Sequence, residues 1–296
     1  MLRPALYASV LFGVVASCDD RAPSPVREPR ATPELLAPAF AIAPLAAVAV
    51  VRAAPRGPCP AEMAHVEGGC IDRYEASLVE RRGDGSFAPH APTARPEVGV
   101  TYEARSVAGV FPQAYVSRDD ASAACANAGK RLCSRDEWQR ACEGEARTIY
   151  PYGEAREPGR CNSDKPHLLT LMFGANARAW RYEDFNDPRL DQEPGFLAKT
   201  GAFDACVSDA GAYDLVGNLH EWVSDTVDHD LLAKVAVDNA SRSWQPSAQG
   251  NGVFMGGFFS TGEELGPGCR YTTIAHEPGY HDYSTGFRCC ADAGER

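Results

Sequence analysis

The sequence has no Cys-x-x-Cys pair, no cluster of Lys and Arg, and no internal repeat. Without Cys-x-x-Cys there is no basis for a zinc ribbon or a thioredoxin-type site. Without a basic cluster, and with a net charge of −11, the chain lacks the electrostatic footprint of a DNA- or RNA-binding protein. An acidic surface favours solubility and is compatible with cation binding. Long apolar runs are also scarce. "ALYASVLFGVVAS" is too short for an ordinary membrane-spanning helix, and "AIAPLAAVAVV" is interrupted by Pro44.

The first of these runs follows Arg3 and reads as an export signal over residues 1–17. It ends in "VASC". An aliphatic residue, two small residues and a cysteine resemble a bacterial lipobox, which makes Cys18 the expected lipidation site. A plain secretory signal is the alternative. Residues 18–57 are rich in Pro and Ala and read as a tether. The expected location is therefore an exported lipoprotein, facing the periplasm or on the cell surface and held to the membrane by its lipid. Leaving Cys18 aside, ten cysteines remain, an even number that suits up to five disulfides in an exported chain.

The folded domain is expected over 58–296. Gly and Pro, 27 and 22 residues, favour a loop-rich fold over a helical bundle. "EMAHVEGGCIDRYEAS" reads as two short strands around a Gly turn, and "RRGDGSF" as a surface turn. Two helices follow. The first starts near Ser117, has Asp119 and Asp120 in its first turn, and ends at Gly129. Its apolar face holds Ala121, Ala124, Cys125 and Ala128. The second starts at Ser134, where Ser134 and Glu137 fit a capping box, and Gly144 ends it. Beyond it the chain reads as loops and short strands, clearest in "NGVFMGGFF" and "TGFRCC".

"GKRLCSRDEWQRACEG", "YPYG", "CN", "YDLVGNLHEWVSD", "VFMGG", "CRY" and "GFRCC" occur in this order. Together they resemble the formylglycine-generating enzyme, or sulfatase-modifying factor, family over roughly residues 59–293. The resemblance implies a variant of the C-type lectin fold: one α+β domain with two helices, small twisted sheets and much irregular structure. Active members oxidise a sulfatase cysteine to formylglycine with copper and oxygen. They hold Cu(I) on two thiols spaced Cys-x4-Cys after a Gly-Gly, and soft thiolates suit that ion. Here the segment is "GGFFSTGEELGPGCRY". Counting from Gly257, the two positions fall on Thr261 and Gly266; counting back from Cys269, they fall on Glu264 and Phe259. Neither register supplies a cysteine, so no copper is expected. Iron-dependent relatives use a histidine triad from a separate helical domain, and this chain has no HxxxHxE motif.

The resemblance further implies the disulfides Cys125–Cys289 and Cys142–Cys269. Cys59–Cys70 is expected by proximity, and Cys161–Cys206 and Cys133–Cys290 by elimination; a vicinal Cys289–Cys290 pair is the alternative. Exported relatives hold structural calcium, a hard ion that takes six to eight oxygens. Its ligands correspond to the Asp214 and Glu221 side chains and the Gly217 and Leu219 carbonyls, with His220 an ordinary loop side chain. A second site would use Asn162 and the Ser163 carbonyl, with Asp191 or Glu193 replacing an acid where Pro194 stands. "HEPGYHDY" offers His276 and His281 as ligands for another metal, or is a plain surface loop. Trp138, Trp222, Tyr271, Tyr280 and Tyr283 are candidates for a groove or for packing.

The functional expectation is a non-catalytic, lipid-anchored domain that binds a peptide, glycan or protein of the cell envelope. The alternative is a metal-dependent oxidoreductase of the same family with non-copper chemistry. A true formylglycine-generating oxidase is the third possibility.

Overall fold

The computed structural model describes residues 58–238 and 248–294. The expected signal, Cys18 and the tether lie outside the described residues. The hairpin β1 (Met63–Val66) and β2 (Gly69–Asp72) opens the domain. β3 (Ala76–Arg81), β4 (Phe87–Pro89) and β5 (Tyr102–Ser106) form an antiparallel sheet in the order β4-β3-β5. α1 (Arg118–Asn127), β6 (Arg131–Leu132) and α2 (Arg135–Glu143) follow.

Both helices start on capping boxes, Ser117 with Asp120 and Ser134 with Glu137. Each hydroxyl accepts a first-turn N–H, and the acid three residues on accepts the cap's own N–H. Arg131 also holds Glu137, so the carboxyl is pulled down to about 2 against the effect of burial.

The later chain differs from its sequence reading in three ways. Five helices, not two, occur among the described residues: α3 (Leu168–Phe173), α4 (Tyr182–Phe185) and α5 (His229–Asp238) were expected as loop or strand. α5 forms because Leu231 and Val235, one turn apart, both reach the core. The "HEWVSD" stretch is not loop but the seven-residue strand β7 (His220–Thr226). "TGFRCC" is two strands: β10 (Thr285–Phe287) and β11 (Cys289–Ala291). The chain changes sheets at Arg288. β10 pairs parallel with β7, whereas β11 pairs antiparallel with β2 and β6. The sheet orders are β1-β2-β11-β6 and β10-β7-β8-β9, where β8 is Gly252–Met255 and β9 is Thr272–Thr273.

The β7–β8 pair separates two parts of the core. Val223, Val253 and Met255 face α2 and pack with Trp138, Ala141 and Cys142. Trp222 and Phe254 face α1 and pack with Ala121, Ala124 and Phe287. Strand alternation sends neighbouring residues to opposite faces. His220 and Glu221 therefore never form a pair.

Arg288 is fully buried at the crossing between the two sheets. Its Nε and Nη2 donate to the two oxygens of Glu221, both at 2.6 Å. Its Nη1 donates to the Asp72 carbonyl at 3.0 Å, and Nη2 to the Tyr213 carbonyl at 2.8 Å. Trp138 Nε1 adds a bond to Glu221 at 2.7 Å. One ion pair thus joins α2, β2, β7 and the start of β11.

The disulfides are Cys59–Cys70, Cys125–Cys289, Cys133–Cys290, Cys142–Cys269 and Cys161–Cys206, the same pairs as expected from the sequence. Adjacent Cys289 and Cys290 reach opposite ways, one to α1 and the other to the residue before α2's cap. Bridges closing 164, 157 and 127 residues each restrict the unfolded chain by about 5 kcal/mol in the chain-entropy account. Such a framework belongs to an oxidising compartment. Among the described residues no helix is long and apolar enough to cross a membrane.

Glu221→Gln keeps the shape but breaks the buried ion pair, leaving Arg288 without the carboxylate that holds its Nε and Nη2. It should cost about 3–5 kcal/mol of unfolding free energy, measured by denaturant titration with the disulfides intact. A loss under about 1 kcal/mol would show that the pair is not a structural tie.

Candidate ligand-binding site

The segment Asp214–Glu221 enters β7 through a tight loop. Asp214 and Asn218 have positive φ, 61° and 58°, in the left-handed region that Asp and Asn tolerate better than most residues. Gly217 has φ 78°, and a Cβ there would lie 2.2 Å from the Asn162 carbonyl oxygen. The position requires glycine because another backbone touches it. That contact joins the two expected calcium loops: Asn218 N–H donates to the Asn162 carbonyl, and Asn162 Nδ2 donates to Asn218 Oδ1.

The structure places Glu221 beside Arg288 and Trp138, where it accepts three hydrogen bonds. Asp214 accepts from Gly201 N–H at 2.7 Å. Glu75, absent from the sequence reading, completes the group. It accepts from Asn218 Nδ2 at 2.5 Å and from Leu219 N–H at 3.1 Å. Glu75, Asp214 and Glu221 are all buried, with Arg288 as the cation. Burial first, then the charges of Asp214 and Glu221, raises Glu75 well above the carboxylate range. Asp214 is pushed up to about 6 by burial, with Gly201 N–H and Arg288 opposing and Glu221 reinforcing.

The second expected calcium site is occupied differently. Asn162 Oδ1 is buried without a hydrogen-bond partner, as an unfilled ligand atom would be. The facing half, however, receives the chain's own cation. Lys165 Nζ donates to the Gly195 carbonyl at 2.5 Å and the Phe196 carbonyl at 2.8 Å. Glu193 is exposed. Asp191 is buried among Tyr115, Leu190 and Tyr283 with neither oxygen bonded. Burial and then the charge of Asp282 hold it well above its ordinary value.

The turn where relatives carry copper thiols is built from other groups. Thr261 Oγ1 accepts from Phe258 N–H and donates to the Phe258 carbonyl, both at 2.9 Å. Gly266 has φ 120°, and a Cβ there would meet the Arg270 carbonyl oxygen at 2.7 Å. A cysteine at that position would have to move backbone. In the other register, Phe259 is core and Glu264 accepts from Gly262 N–H.

Phe258 also lines a cleft of about 500 Å³, together with His167, Tyr182, Phe185, His276, Tyr280, Asp282, Tyr283 and Ser284. Most of these rings meet edge to face: Phe258 lies at 87° to both His167 and Tyr283. His276 instead stacks on Tyr280, 3.7 Å between centroids, with Phe254 on its other side. His281 packs edge-on against Tyr182. Burial holds His167, His276 and His281 below their usual range, which keeps them neutral at physiological pH. His220 sits behind the cleft against Phe254 and Phe258, pushed down to about 3 by burial and then His276. Among the described residues, no three His, Cys, Asp or Glu side chains converge as a metal site would need. Three donors point at the Asp282 carboxylate: Tyr280 Oη at 2.5 Å, Ser284 N at 2.8 Å and Ser284 Oγ at 2.7 Å. Trp138 and Trp222 are wholly core, and Tyr271 is buried, so Tyr280 and Tyr283 alone of the expected aromatics line this cleft.

The sulfatase-modifying factor enzyme 1-like domain matches residues 81–293. The inactive Cα-formylglycine-generating enzyme 2 of Bos taurus is 30% identical over 191 residues, covering 62% of this chain and 51% of that protein. The formylglycine-generating enzyme of Mus musculus is 30% identical over 189 residues, covering 61% and 44%. The chain thus spans about half the length of the curated relatives it matches. Among solved structures, the Major Tropism Determinant M1 variant aligns over 82% of this chain and 55% of that one, at 15% identity and a TM-score of 0.43. With its α+β, loop-rich, disulfide-stapled fold and its ordered motifs, the chain belongs to the sulfatase-modifying factor, or formylglycine-generating-enzyme-like, family.

Proposed function

We propose that this is a non-catalytic member of the family: an exported, lipid-anchored domain that binds a cell-envelope ligand in the aromatic cleft. The observation that carries this reading is the turn from Gly256 to Gly266. It contains no thiol; Thr261 is consumed in a closed turn, and Gly266 has no space for a side chain. Copper-dependent oxidation of a substrate cysteine needs thiolates at that turn. The ten cysteines from Cys59 to Cys290 are all engaged in disulfides and leave no substitute. Similarity to a relative named as inactive is compatible with this reading, and the relative named as the enzyme is equally similar. Cys18, outside the described residues, would hold the lipid.

Calcium is the ion that the family resemblance implies for the Asp214 loop, through the Asp214 carboxylate and the Gly217 and Leu219 carbonyls, with Glu221 shared with Arg288, which already donates to both of its oxygens. Two buried carboxyls, Asp214 and Glu221, stand against one arginine, and the donors are hard oxygens. Bound there, calcium would offset the burial and the Glu221 charge that together raise Asp214. The Asn162–Ser163 half does not fit a second ion, because Lys165 already occupies the opposite carbonyls. No second calcium is proposed.

The full chain, incubated with copper, oxygen and a sulfatase-derived cysteine peptide, should yield no formylglycine-containing peptide by mass spectrometry after reduction. After denaturation without reductant, peptides containing Cys59 to Cys290 should take up no thiol reagent. Conversion of the peptide to formylglycine would overturn the non-catalytic reading.

Asp214 has a folded pKa of about 6 against an ordinary 3.8. Its contribution to stability is complete below the ordinary value and is lost as pH rises through the folded one. In chelator, Asp214→Asn should therefore gain melting temperature over the parent at neutral pH, and the gain should fade as pH drops toward about 4. Added calcium should raise the parent's melting temperature and not the variant's. Equal calcium responses would remove the proposed site.

A further inference from the structure

We propose that the aromatic cleft selects a small soluble compound bearing a trimethylammonium group, a ligand class that rests on the reading of the domain as a binding module. Around Phe258 the walls are rings set nearly at right angles, Phe258 to Tyr283 and Phe258 to His167 both at 87°, while His276 and Tyr280 stack flat beside them. Perpendicular faces surround a compact group, whereas a flat platform would stack a planar one. Ring faces attract cations, most strongly where water is excluded.

The charge balance points the same way. No Lys or Arg lines the cleft, and Asp282 is its one acidic lining residue. Burial holds the histidines there below their usual range, and burial and then Asp282 hold Asp191 behind above its own. What remains is a single carboxylate, itself 4% exposed, beneath aromatic faces.

The hydrogen bonding narrows the cation. Two donors occupy Asp282 Oδ1 and one occupies Oδ2, which fills three of a carboxylate's roughly four acceptor positions. Asp282 therefore acts as a charge more than as an acceptor. A primary ammonium or a guanidinium would leave water and find few acceptors in exchange, a costly trade. A trimethylammonium group has no N–H to satisfy and is cheap to desolvate. The cleft's volume, about 500 Å³, suits a small molecule. A wider groove of about 980 Å³ sets Arg73, Arg140 and Arg147 against Glu67, Glu145 and Asp209, so its charges balance and it shows no such preference.

Calorimetric titration of the full chain at neutral pH tests this with four probes: choline, its neutral isostere 3,3-dimethylbutan-1-ol, ethanolamine, and phosphatidylcholine vesicles. Choline should bind about tenfold more tightly than the isostere and than ethanolamine. Tyr182→Ala should weaken choline about fivefold, and Tyr182→Phe should restore it, with both variants melting near the parent temperature. Equal binding of choline and the isostere would overturn the cation preference while leaving an apolar binding cleft. Equal binding of ethanolamine would overturn the trimethylammonium preference. Binding to vesicles without free choline would overturn the small-molecule assignment, and no binding at all would overturn the ligand class. None of these results bears on peptide oxidation, which tests the non-catalytic reading separately.

Discussion

The buried pair of Arg288 and Glu221 is the constraint on which the domain's architecture turns. The last strand segment must leave one sheet and enter another within a single residue, and Arg288 is that residue. Its guanidinium satisfies backbone carbonyls of Asp72 and Tyr213 that the change of sheet brings into the interior. Glu221 compensates the charge, and Trp138 satisfies a further acceptor site on Glu221. A buried pair of this kind gives little net stability relative to an apolar core, because desolvation offsets the attraction. Its value here is registration: α2, β2, β7 and β11 are joined at one point in one arrangement. The disulfides of Cys289 and Cys290 then pin the same strand to both sides.

That scaffold is independent of the family's redox chemistry. The turn after Gly257 reaches the same neighbourhood as the cleft, but its polar groups close the turn on itself. Phe258 lies where the turn meets the cleft and contributes an aromatic wall to it. The local chemistry has moved from soft ligands to rings and one carboxylate. Such a surface suits recognition by desolvation and charge.

Much of the fold was legible where local rules act. Ser134 with Glu137 marked a helix start, Gly144 marked its end, and Ala121, Ala124 and Cys125 marked a buried face. These signals lie within one or two turns of chain. The strand β7 was harder. "HEWVSD" places a His and a Glu at its head, and both are buried on opposite faces, so its polarity hid a central strand. Arg288 was read inside a strand because an arginine gives no local sign of a change of sheet. α5 has a plain apolar spacing, but its valines and leucines also suit a strand.

The site was legible only in part. Asp214, Gly217 and Glu221 stood out through the motif, yet Glu75 lies 143 residues from Asn218, its partner, and no spacing rule links them. Lys165 is the reverse case: a lone lysine whose meaning appears only when its ammonium meets two carbonyls. The cleft combines His167, Tyr182, Phe258 and Tyr280 from four separate segments, so sequence could mark "HEPGYHDY" but not its walls. Whether this member keeps the fold without the copper site is decided by Cu(I) titration of the unreduced, disulfide-intact protein against a competing chromophoric chelator. The chelator should keep its copper at every protein concentration. Stoichiometric transfer of Cu(I) to the protein would contradict this.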